Sequence, residues 1–288
     1  MKGVKHIHVA VVVCTVVSVV IIWAAVFQVE AGWGETRLTV FDVGQGDAVF
    51  VETPSGKQML VDGGPDGSVL SRLGSAMPFW DRFIDILVIS HPHSDHLTGA
   101  IEVLKRYDVG LVVESGVEYS TAEYEEWQRV VEASGAPIHI ARAGEVIEFG
   151  DGVRFEIFLP AHAFVGASLK NVHDAMVVGR LVFASSSALL MGDAEASEEY
   201  QMMYAAEDLF TDILKVGHHG SKTSTSEPFL RAVSPDIAII SSGRKNRYGH
   251  PNQGVLDRLG MFDVSLFRTD SDGSITFTTG GHEWIQEK

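Results

Sequence analysis

The hydrophobic and polar positions divide the chain into two unequal parts. Residues 9–27 form a nearly unbroken apolar run that follows Lys2 and Lys5. A helix over these 19 residues rises ~1.5 Å per residue and covers roughly 28 Å, close to the thickness of a bilayer core. We therefore expect residues 1–34 to hold a signal anchor, or a signal peptide cut near Ala31, followed by a short linker. Either outcome places the rest of the chain outside the cytoplasm, because the lysines stay inside.

Residues 35–288 show a different pattern, in which short β-branched stretches alternate with segments of helical spacing. Strands are predicted over 38–42, 48–53, 58–62, 84–90, 110–114, 153–159, 188–193, 212–216, 237–241 and 274–278. Helices are predicted over 97–107, 121–133, 196–206, 227–232 and 253–259. Because both element types are mixed throughout, the pattern predicts one domain of α/β or α+β class with layered sheets.

Composition and charge narrow the class of protein. The chain is 45% hydrophobic, which suits a folded domain. Its net charge of −16 argues against sequence-blind binding to DNA, which requires a basic surface. Residues 214–250 are an exception, because six basic and two acidic side chains give them a local charge of +4. The basic side chains in this stretch are either a chance cluster or part of a surface that faces anions. The single cysteine, Cys14, excludes a disulfide or a cysteine-based zinc cage within one chain.

The segment "ISHPHSDHLTG" carries the first candidate chemistry. His91, His93, Asp95 and His96 stand between the apolar run "FIDILV" and a predicted helix. They therefore occupy a strand-to-helix loop, where polar side chains converge at the edge of a sheet. Imidazole and carboxylate groups are ligands for zinc, manganese or iron. Two histidines on one side and an Asp-His pair on the other indicate two neighbouring metal ions.

Three further apolar strands end in residues of the same type. "LVDGG" ends with Asp62, "LLMGDAE" contains Asp193, and "ILKVGHHGS" contains His218 and His219. A single aspartate after a strand is often only a turn residue. Four strand ends that carry ligand chemistry instead predict one shared site.

These motifs resemble those of the metallo-β-lactamase superfamily, and within it the hydrolase domain of competence ComEC-type proteins. The resemblance covers residues 38–278 and rests on seven stretches in the same order, "FDVGQGDA", "LVDGG", "SHPHSDHLTG", "LLMGDAE", "LKVGHHGSKTSTS", "SSGRKNRYGHP" and "FRTDSDGSITF". It implies an α+β fold, an αββα sandwich of two mixed β-sheets flanked by helices, here preceded by one hydrophobic N-terminal helix. Residues 35–288 are then a metallo-β-lactamase-like hydrolase domain.

The resemblance also implies a set of metal ligands. His91 and His93 would bind a first ion, Asp95 and His96 a second, and Asp193 would bridge the two. His218 would complete the ligand set of the second ion, and His219 would then orient a ligand or contact substrate. The opposite assignment, with His219 as the ligand and His218 beside it, stays open. Asp62 would orient ligands by hydrogen bonding. His173, in "KNVHDAMVV", stands near the place where most of the superfamily has another histidine; it either completes the first ion or is an ordinary partly exposed histidine.

The implied reaction is hydrolysis by a metal-bound hydroxide. The cofactors would be two divalent ions, zinc first, with manganese or iron as alternatives. Asp95 would also assist deprotonation of water, and His250 would hold a phosphate oxygen or protonate the leaving group. Lys215, Ser221 and Lys222 are candidate phosphate contacts; Lys215 alternatively extends to solvent from its strand.

The expected function is that of an extracytoplasmic phosphodiesterase or nuclease linked to DNA uptake, with single-stranded DNA as a candidate substrate. Two alternatives stay open. One is a phosphocholine-type esterase on a cell-wall polymer, which the net charge of −16 suits better than DNA. The other is a non-catalytic accessory of a DNA-uptake channel. The sequence leaves the oligomeric state open.

Overall fold

The structure, a computed structural model, describes residues 13–23, 34–206 and 208–287. Residues 13–23 form helix α1, whose side chains are exposed. The ends of the predicted apolar segment and the cleavage site predicted near Ala31 lie outside the described residues. Among the helices that the structure describes, none is both long enough and apolar enough to cross a bilayer. The division of the chain at residues 34 and 35 stays a prediction.

The described residues contain fifteen strands in two sheets. In chain order they are β1 (Thr36–Val40), β2 (Val49–Glu52), β3 (Gln58–Val61), β4 (Phe83–Val88), β5 (Asp108–Glu114), β6 (Ile138–Ile140), β7 (Val146–Glu148), β8 (Val153–Leu159), β9 (Val178–Phe183), β10 (Ser186–Leu190), β11 (Ile213–Lys215), β12 (Ile237–Ile240), β13 (Ser265–Arg268), β14 (Ile275–Thr279) and β15 (Ile285–Gln286). The first sheet has the order β15-β14-β1-β2-β3-β4-β5-β6, and the second has the order β13-β12-β11-β10-β9-β8-β7.

Each sheet is mixed. The run β3-β4-β5-β6 is parallel in the first sheet, and the run β10-β11-β12-β13 is parallel in the second. The remaining pairs are antiparallel, for example Leu38 opposite Val51 between β1 and β2. Parallel strands end at a common edge, so the loops that follow them gather there.

Helices cover the outer faces of both sheets. They are α2 (Ser68–Ala76), α3 (Ser94–Leu104), α4 (Ala122–Ser134), α5 (Ala196–Ala205), α6 (Glu227–Val233), α7 (Gln253–Met261) and the single turn α8 (Thr269–Asp272). Apolar side chains of α2, α3 and α4 pack on the first sheet, and those of α5, α6 and α7 pack on the second.

Side chains alternate between the two faces of each strand, as the period of a β-strand requires. In β2, Val49 and Val51 face the core between the sheets, whereas Phe50 faces the helices. In β10, Leu190 faces the core between the sheets and Leu189 faces the helices of the second layer. The predicted αββα sandwich is therefore confirmed.

A backbone contact between Gly63 and Gly99 fixes the start of α3 against the end of β3. The Gly63 amide donates to His96 O at 2.7 Å, and the Gly99 amide donates to Gly64 O at 3.0 Å. A Cβ atom on Gly99 would lie 1.8 Å from Gly63 O. Only glycine allows this approach, which sets the distance between α3 and the strand that precedes Asp62.

Candidate metal centre

Loops that follow the parallel strands bring the predicted site residues to one edge of the sandwich. His91 and His93 follow β4, and Asp95 and His96 lie in the first turn of α3. Asp193 follows β10. The turn Gly217–Gly220 after β11 carries His218 and His219, both with left-handed backbone at φ 48° and 54°. These loops line a cavity of about 330 Å³, whose walls include His93, Asp95, Asp193, His218, His219 and His250.

Asp193 lies at the centre of this arrangement and faces two groups of histidines. Its Oδ1 atom is 3.2 Å from His96 Nε2 and 3.3 Å from His219 Nε2. Its Oδ2 atom is 3.7 Å from both His91 Nε2 and His218 Nε2. Oδ1 therefore faces His96 and His219 and Oδ2 faces His91 and His218, so the carboxylate is placed to bridge two ions.

The first group consists of His91, His93, His173 and Asp193, and it offers ligand atoms that all lie within 4.8 Å of one another. His91 Nε2 is 2.9 Å from His93 Nδ1. The His173 ring is centred 5.2 Å from that of His91 and 5.1 Å from that of His93. The fold thus brings His173 to the same group as the two histidines that follow β4.

The second group consists of Asp95, His96, Asp193 and His219, again with ligand atoms within 4.8 Å of one another. His219 Nε2 is 3.5 Å from Asp95 Oδ2. His218 instead meets His173 and Glu195, and its Nδ1 atom is 3.0 Å from Glu195 Oε1. The sequence left open whether His218 or His219 is the ligand of the second ion. The geometry places His219, and not His218, in the second group.

These groups fit divalent cations. The buried atoms His96 Nε2, His173 Nε2, Asp193 Oδ1 and His219 Nε2 have no hydrogen-bond partner in the structure. A buried polar atom left without a partner costs roughly 1–3 kcal/mol, so four such atoms in one place indicate a missing ligand. Nitrogen and oxygen donors suit zinc, manganese and iron alike. The two groups together indicate a dinuclear metal site whose metal is not determined by the donors.

A supporting set of hydrogen bonds orients the histidine rings. His96 Nδ1 is 2.7 Å from Asp62 Oδ2, and Asp62 also accepts bonds from the amide and hydroxyl of Ser90 at 2.8 and 2.7 Å. His219 Nδ1 donates to Ser241 O at 3.0 Å. Each contact leaves Nε2 directed at the centre, which is how ligand histidines are commonly held. Asp62 thus contacts His96 directly, and its role in orienting a metal ligand stays a prediction.

Asp47 is a buried member of the site that the sequence reasoning missed. It forms an ion pair with Lys215, and its Oδ1 atom is 3.3 Å from His219 Nδ1. Lys215 is 1% exposed and also contacts Gly192 O at 3.3 Å. The lysine therefore lies beneath the histidines, neither on the cavity wall nor extended to solvent. A signal existed in the sequence, because a lysine two positions after Ile213 shares that residue's inward face and requires a buried partner.

The electrostatic environment separates the histidines into neutral and charged ones. Burial lowers the pKa of His91 well below its usual range and lowers the pKa of His93 to about 4. Burial also opposes charge on His96 and His219, but Asp193 outweighs it together with a second carboxylate at each ring, Asp62 at His96 and Asp47 at His219. The pKa of His96 is raised well above its usual range, and that of His219 is raised to about 10. Divalent ions would replace the protons that these two rings carry.

The carboxylates of Asp193 and Asp95 remain ionised because the neighbouring histidines oppose the effect of burial. Burial alone would raise the pKa of Asp193, but the charges of His219 and His96 hold it well below its usual value. Burial likewise opposes ionisation of Asp95, whereas the neighbouring His219 and His96 rings lower its pKa to about 2. Both side chains are therefore available as anionic ligands at neutral pH.

The remaining predicted residues divide between the cavity and the surface. His250 lines the cavity with its Nδ1 atom unpaired, and its ring is centred 5.7 Å from that of His218. Burial lowers the pKa of His250, and the neighbouring His219 lowers it further. Ser221 is buried and bonds the Thr223 hydroxyl at 2.9 Å, while Lys222 is exposed; both lie off the cavity wall.

The αββα fold and the two ligand groups together define a class of protein, and the family model identifies the same class. The model of the metallo-β-lactamase superfamily matches residues 41–244, so the chain belongs to that superfamily. Among curated proteins it is similar to ComE operon protein 3 of Bacillus subtilis, with 32% identity over 282 residues, 92% of this chain and 35% of that protein. It is also similar to Recombination protein 2 of Haemophilus influenzae, with 34% identity over 245 residues, 83% of this chain and 28% of that protein.

The chain spans about a third of the length of these curated relatives. Among solved structures it is similar to CmlA, a diiron β-hydroxylase from Streptomyces venezuelae, with 14% identity and a TM-score of 0.55 over 83% of this chain and 53% of that chain. At that identity the likeness shows the fold alone. The predicted superfamily and the resemblance to competence proteins are confirmed, and the chain is a metal-dependent hydrolase of metallo-β-lactamase fold.

Proposed function

We propose that the chain is a phosphodiesterase that acts on single-stranded DNA outside the cytoplasm during DNA uptake. Residues 9–27 would anchor it to the membrane, or cleavage near Ala31 would release it. The observation that carries the proposal is the pair of ligand groups on opposite oxygens of Asp193, together with His250 on the wall of the same cavity. The names of two curated relatives, Competence protein ComA of Neisseria gonorrhoeae and Recombination protein 2, support the link to DNA.

The residues around the cavity have complementary roles in this proposal. Two divalent ions held by the two groups would supply the Lewis acidity and the activated water that hydrolysis of a phosphodiester requires. Asp95 is ionised at neutral pH and accepts a proton from water. His250 holds a phosphate oxygen or delivers a proton to the leaving oxygen, because its ring lines the cavity and is only partly buried.

The charge balance of the centre favours an anionic substrate. Asp95 and Asp193 contribute two negative charges to the second group. Two divalent ions would exceed this, so the occupied centre attracts a phosphate although the whole chain carries −16. The favourable field is therefore local to the cavity.

Hydrolysis of bis-p-nitrophenyl phosphate and of a single-stranded oligonucleotide by the full-length chain tests the proposal. We expect Asp193→Asn to lower kcat/KM by at least about a hundredfold and His250→Ala to lower kcat by about 10²- to 10⁴-fold. Asp236→Asn and His162→Ala are matched controls, because both residues are exposed and lie off the cavity wall. A metal-loaded wild type that hydrolyses neither substrate would contradict the proposal.

The same assay separates the two alternatives. Turnover of p-nitrophenyl phosphocholine in preference to both phosphodiesters would favour an esterase on a cell-wall polymer, which the net charge of −16 suits. Binding of the oligonucleotide without turnover of any ester, with the metal sites filled, would favour a non-catalytic accessory.

A further inference from the structure

The loop formed by residues 243–250 contributes to the wall of the cavity, and we call it the 243–250 loop. At its start, the Gly243 amide donates to the side chain of Gln45 at 3.1 Å, and Gln45 lines the cavity. At its end, Tyr248 and His250 line the same cavity. Both ends of the loop are therefore attached to the cavity wall.

Asn246 gives this loop a defined shape. Its side-chain amide nitrogen donates to Gly243 O at 2.8 Å and to His250 O at 2.6 Å. Its side-chain oxygen accepts from the Tyr248 and His250 amides at 3.1 and 3.0 Å. One side chain thus makes four bonds to the backbone of the loop, and the residues between them are held in place.

The side chains that this scaffold presents to solvent are basic. Arg244, Lys245 and Arg247 are all exposed. Within the described part of the chain, no carboxylate lies within ion-pair distance of any of the three, whereas Arg129 and Arg231 each pair with a glutamate. Arg244 donates to a backbone carbonyl, Asp270 O, at 3.0 Å. Three uncompensated cations on one loop are unusual in a chain of net charge −16.

An aromatic side chain stands between these cations and the metal centre. Tyr248 is 55% exposed, and its ring is stacked on that of His250 with centroids 5.8 Å apart. The Arg247 guanidinium lies 5.1 Å from the centre of the Tyr248 ring. Cations interleaved with an exposed aromatic ring form the surface on which proteins bind single-stranded nucleic acid, because phosphates pair with the cations and bases stack on the ring.

We infer that the 243–250 loop is a strand-binding arm: Arg244, Lys245 and Arg247 bind phosphates that flank the scissile one, and Tyr248 stacks on a neighbouring base. The inference rests on the proposed function and goes further, because it makes substrate length a determinant of activity. The substrate is then a single-stranded nucleic acid several nucleotides long rather than an isolated phosphodiester.

The test compares a ten-nucleotide oligothymidylate with bis-p-nitrophenyl phosphate as substrates of the full-length, metal-loaded chain. The variant Arg244→Gln/Lys245→Gln/Arg247→Gln should lower the ratio of kcat/KM for the two substrates at least about tenfold. It should also reduce the slope of log KM against log salt by about 2, since each of the three phosphate contacts contributes about 0.7 on a single strand. Lys57→Gln/Arg129→Gln/Arg231→Gln removes the same charge from exposed positions elsewhere and should leave the ratio within about twofold.

Tyr248 is tested separately. Tyr248→Leu should lower the same ratio by roughly fivefold or more relative to Tyr248→Phe, because both variants lose the bond that Arg247 donates to the Tyr248 hydroxyl at 3.0 Å and only the phenylalanine keeps the ring for stacking. A wild type that shows no preference for the oligonucleotide, or a loop variant that behaves like its charge-matched control, would overturn the inference. Equal preference for a poly(glycerol phosphate) chain would overturn the assignment to nucleic acid.

Failure of the proposed function is distinguishable from failure of the arm. If neither substrate is hydrolysed, binding of a fluorescent oligothymidylate to the metal-loaded chain still measures the arm. The inference then requires that the loop variant binds at least about tenfold more weakly than the charge-matched control. Equal affinities of the two variants would reject it.

Discussion

Asp47 and Lys215 form a buried ion pair that joins the two sheets, although they lie 168 residues apart in the chain. Asp47 precedes β2 of the first sheet, and Lys215 ends β11 of the second. Burial opposes ionisation of Asp47, but the charges of Lys215 and His219 outweigh it and lower the pKa of the carboxyl. The same carboxylate lies 3.3 Å from His219 Nδ1, so the pair also fixes a side chain of the metal centre.

Removal of Asp47 should destabilise the fold. Asp47→Ala leaves the buried Lys215 ammonium without a partner, and breaking one side of a buried pair costs about 3–5 kcal/mol. The double variant Asp47→Leu/Lys215→Met removes both charges and should recover most of that loss. Urea denaturation of the metal-free protein measures both. Equal stability of the single and double variants would show that the ion pair is not what Asp47 contributes.

His218 and His219 should differ in their effect on metal content. His219 belongs to the group with Asp95, His96 and Asp193, whereas His218 is held by Glu195. His219→Ala should therefore reduce the content from two ions per chain to one, and His218→Ala should retain both at lower affinity. Elemental analysis after dialysis against a weak chelator measures the content. Loss of one ion from the His218 variant alone would reverse the assignment.

His173 should contribute to the first group. Its buried Nε2 atom has no hydrogen-bond partner and lies with the ligand atoms of His91 and His93. His173→Ala should lower the affinity for one of the two ions by at least about tenfold, as loss of a ligand does. Competition with a chromogenic chelator reports this affinity. Unchanged affinities for both ions would make His173 an ordinary buried histidine.

Gly99 should be required despite its position inside a helix. Helix propensity alone would favour alanine there by about 1 kcal/mol. A Cβ atom would lie 1.8 Å from Gly63 O, however, so Gly99→Ala should destabilise the protein by about 1–3 kcal/mol and weaken metal binding by displacing α3. Gly74→Ala in α2 is the matched control, since no atom lies within 4 Å of its new Cβ. It should be neutral or stabilising by thermal denaturation.

Much of the candidate site was predictable because its residues follow strand ends. The histidines from 91 to 96 are contiguous with an apolar strand, and Asp193 follows another. Parallel strands that end at one edge bring such residues together whatever their separation in sequence. The elements missed include the three-residue strands β6 and β7, where too few positions exist to show a period, and also the six-residue strand β9 and the nine-residue helix α2.

The parts that escaped prediction depend on distant partners or on local backbone. In the sequence, Asp47 resembles a turn residue because it follows Gly46. Only its ion pair with Lys215 in the structure shows that it supports the site. The alternation of side chains along β11 does not show whether His218 or His219 is the metal ligand. Both residues have left-handed backbone, in which that alternation is lost. Which of the two histidines belongs to the second group depends on the geometry of the turn, and the sequence pattern does not specify that geometry.

The metal content of the full-length chain, purified without added metal and then offered zinc, manganese and iron separately, tests the central claim most directly. We expect about two divalent ions per chain for at least one of these metals. We also expect one ion or fewer for Asp193→Ala, since that carboxylate faces both ligand groups. A wild type that retains no stoichiometric metal, or an Asp193 variant that retains both ions, would contradict it.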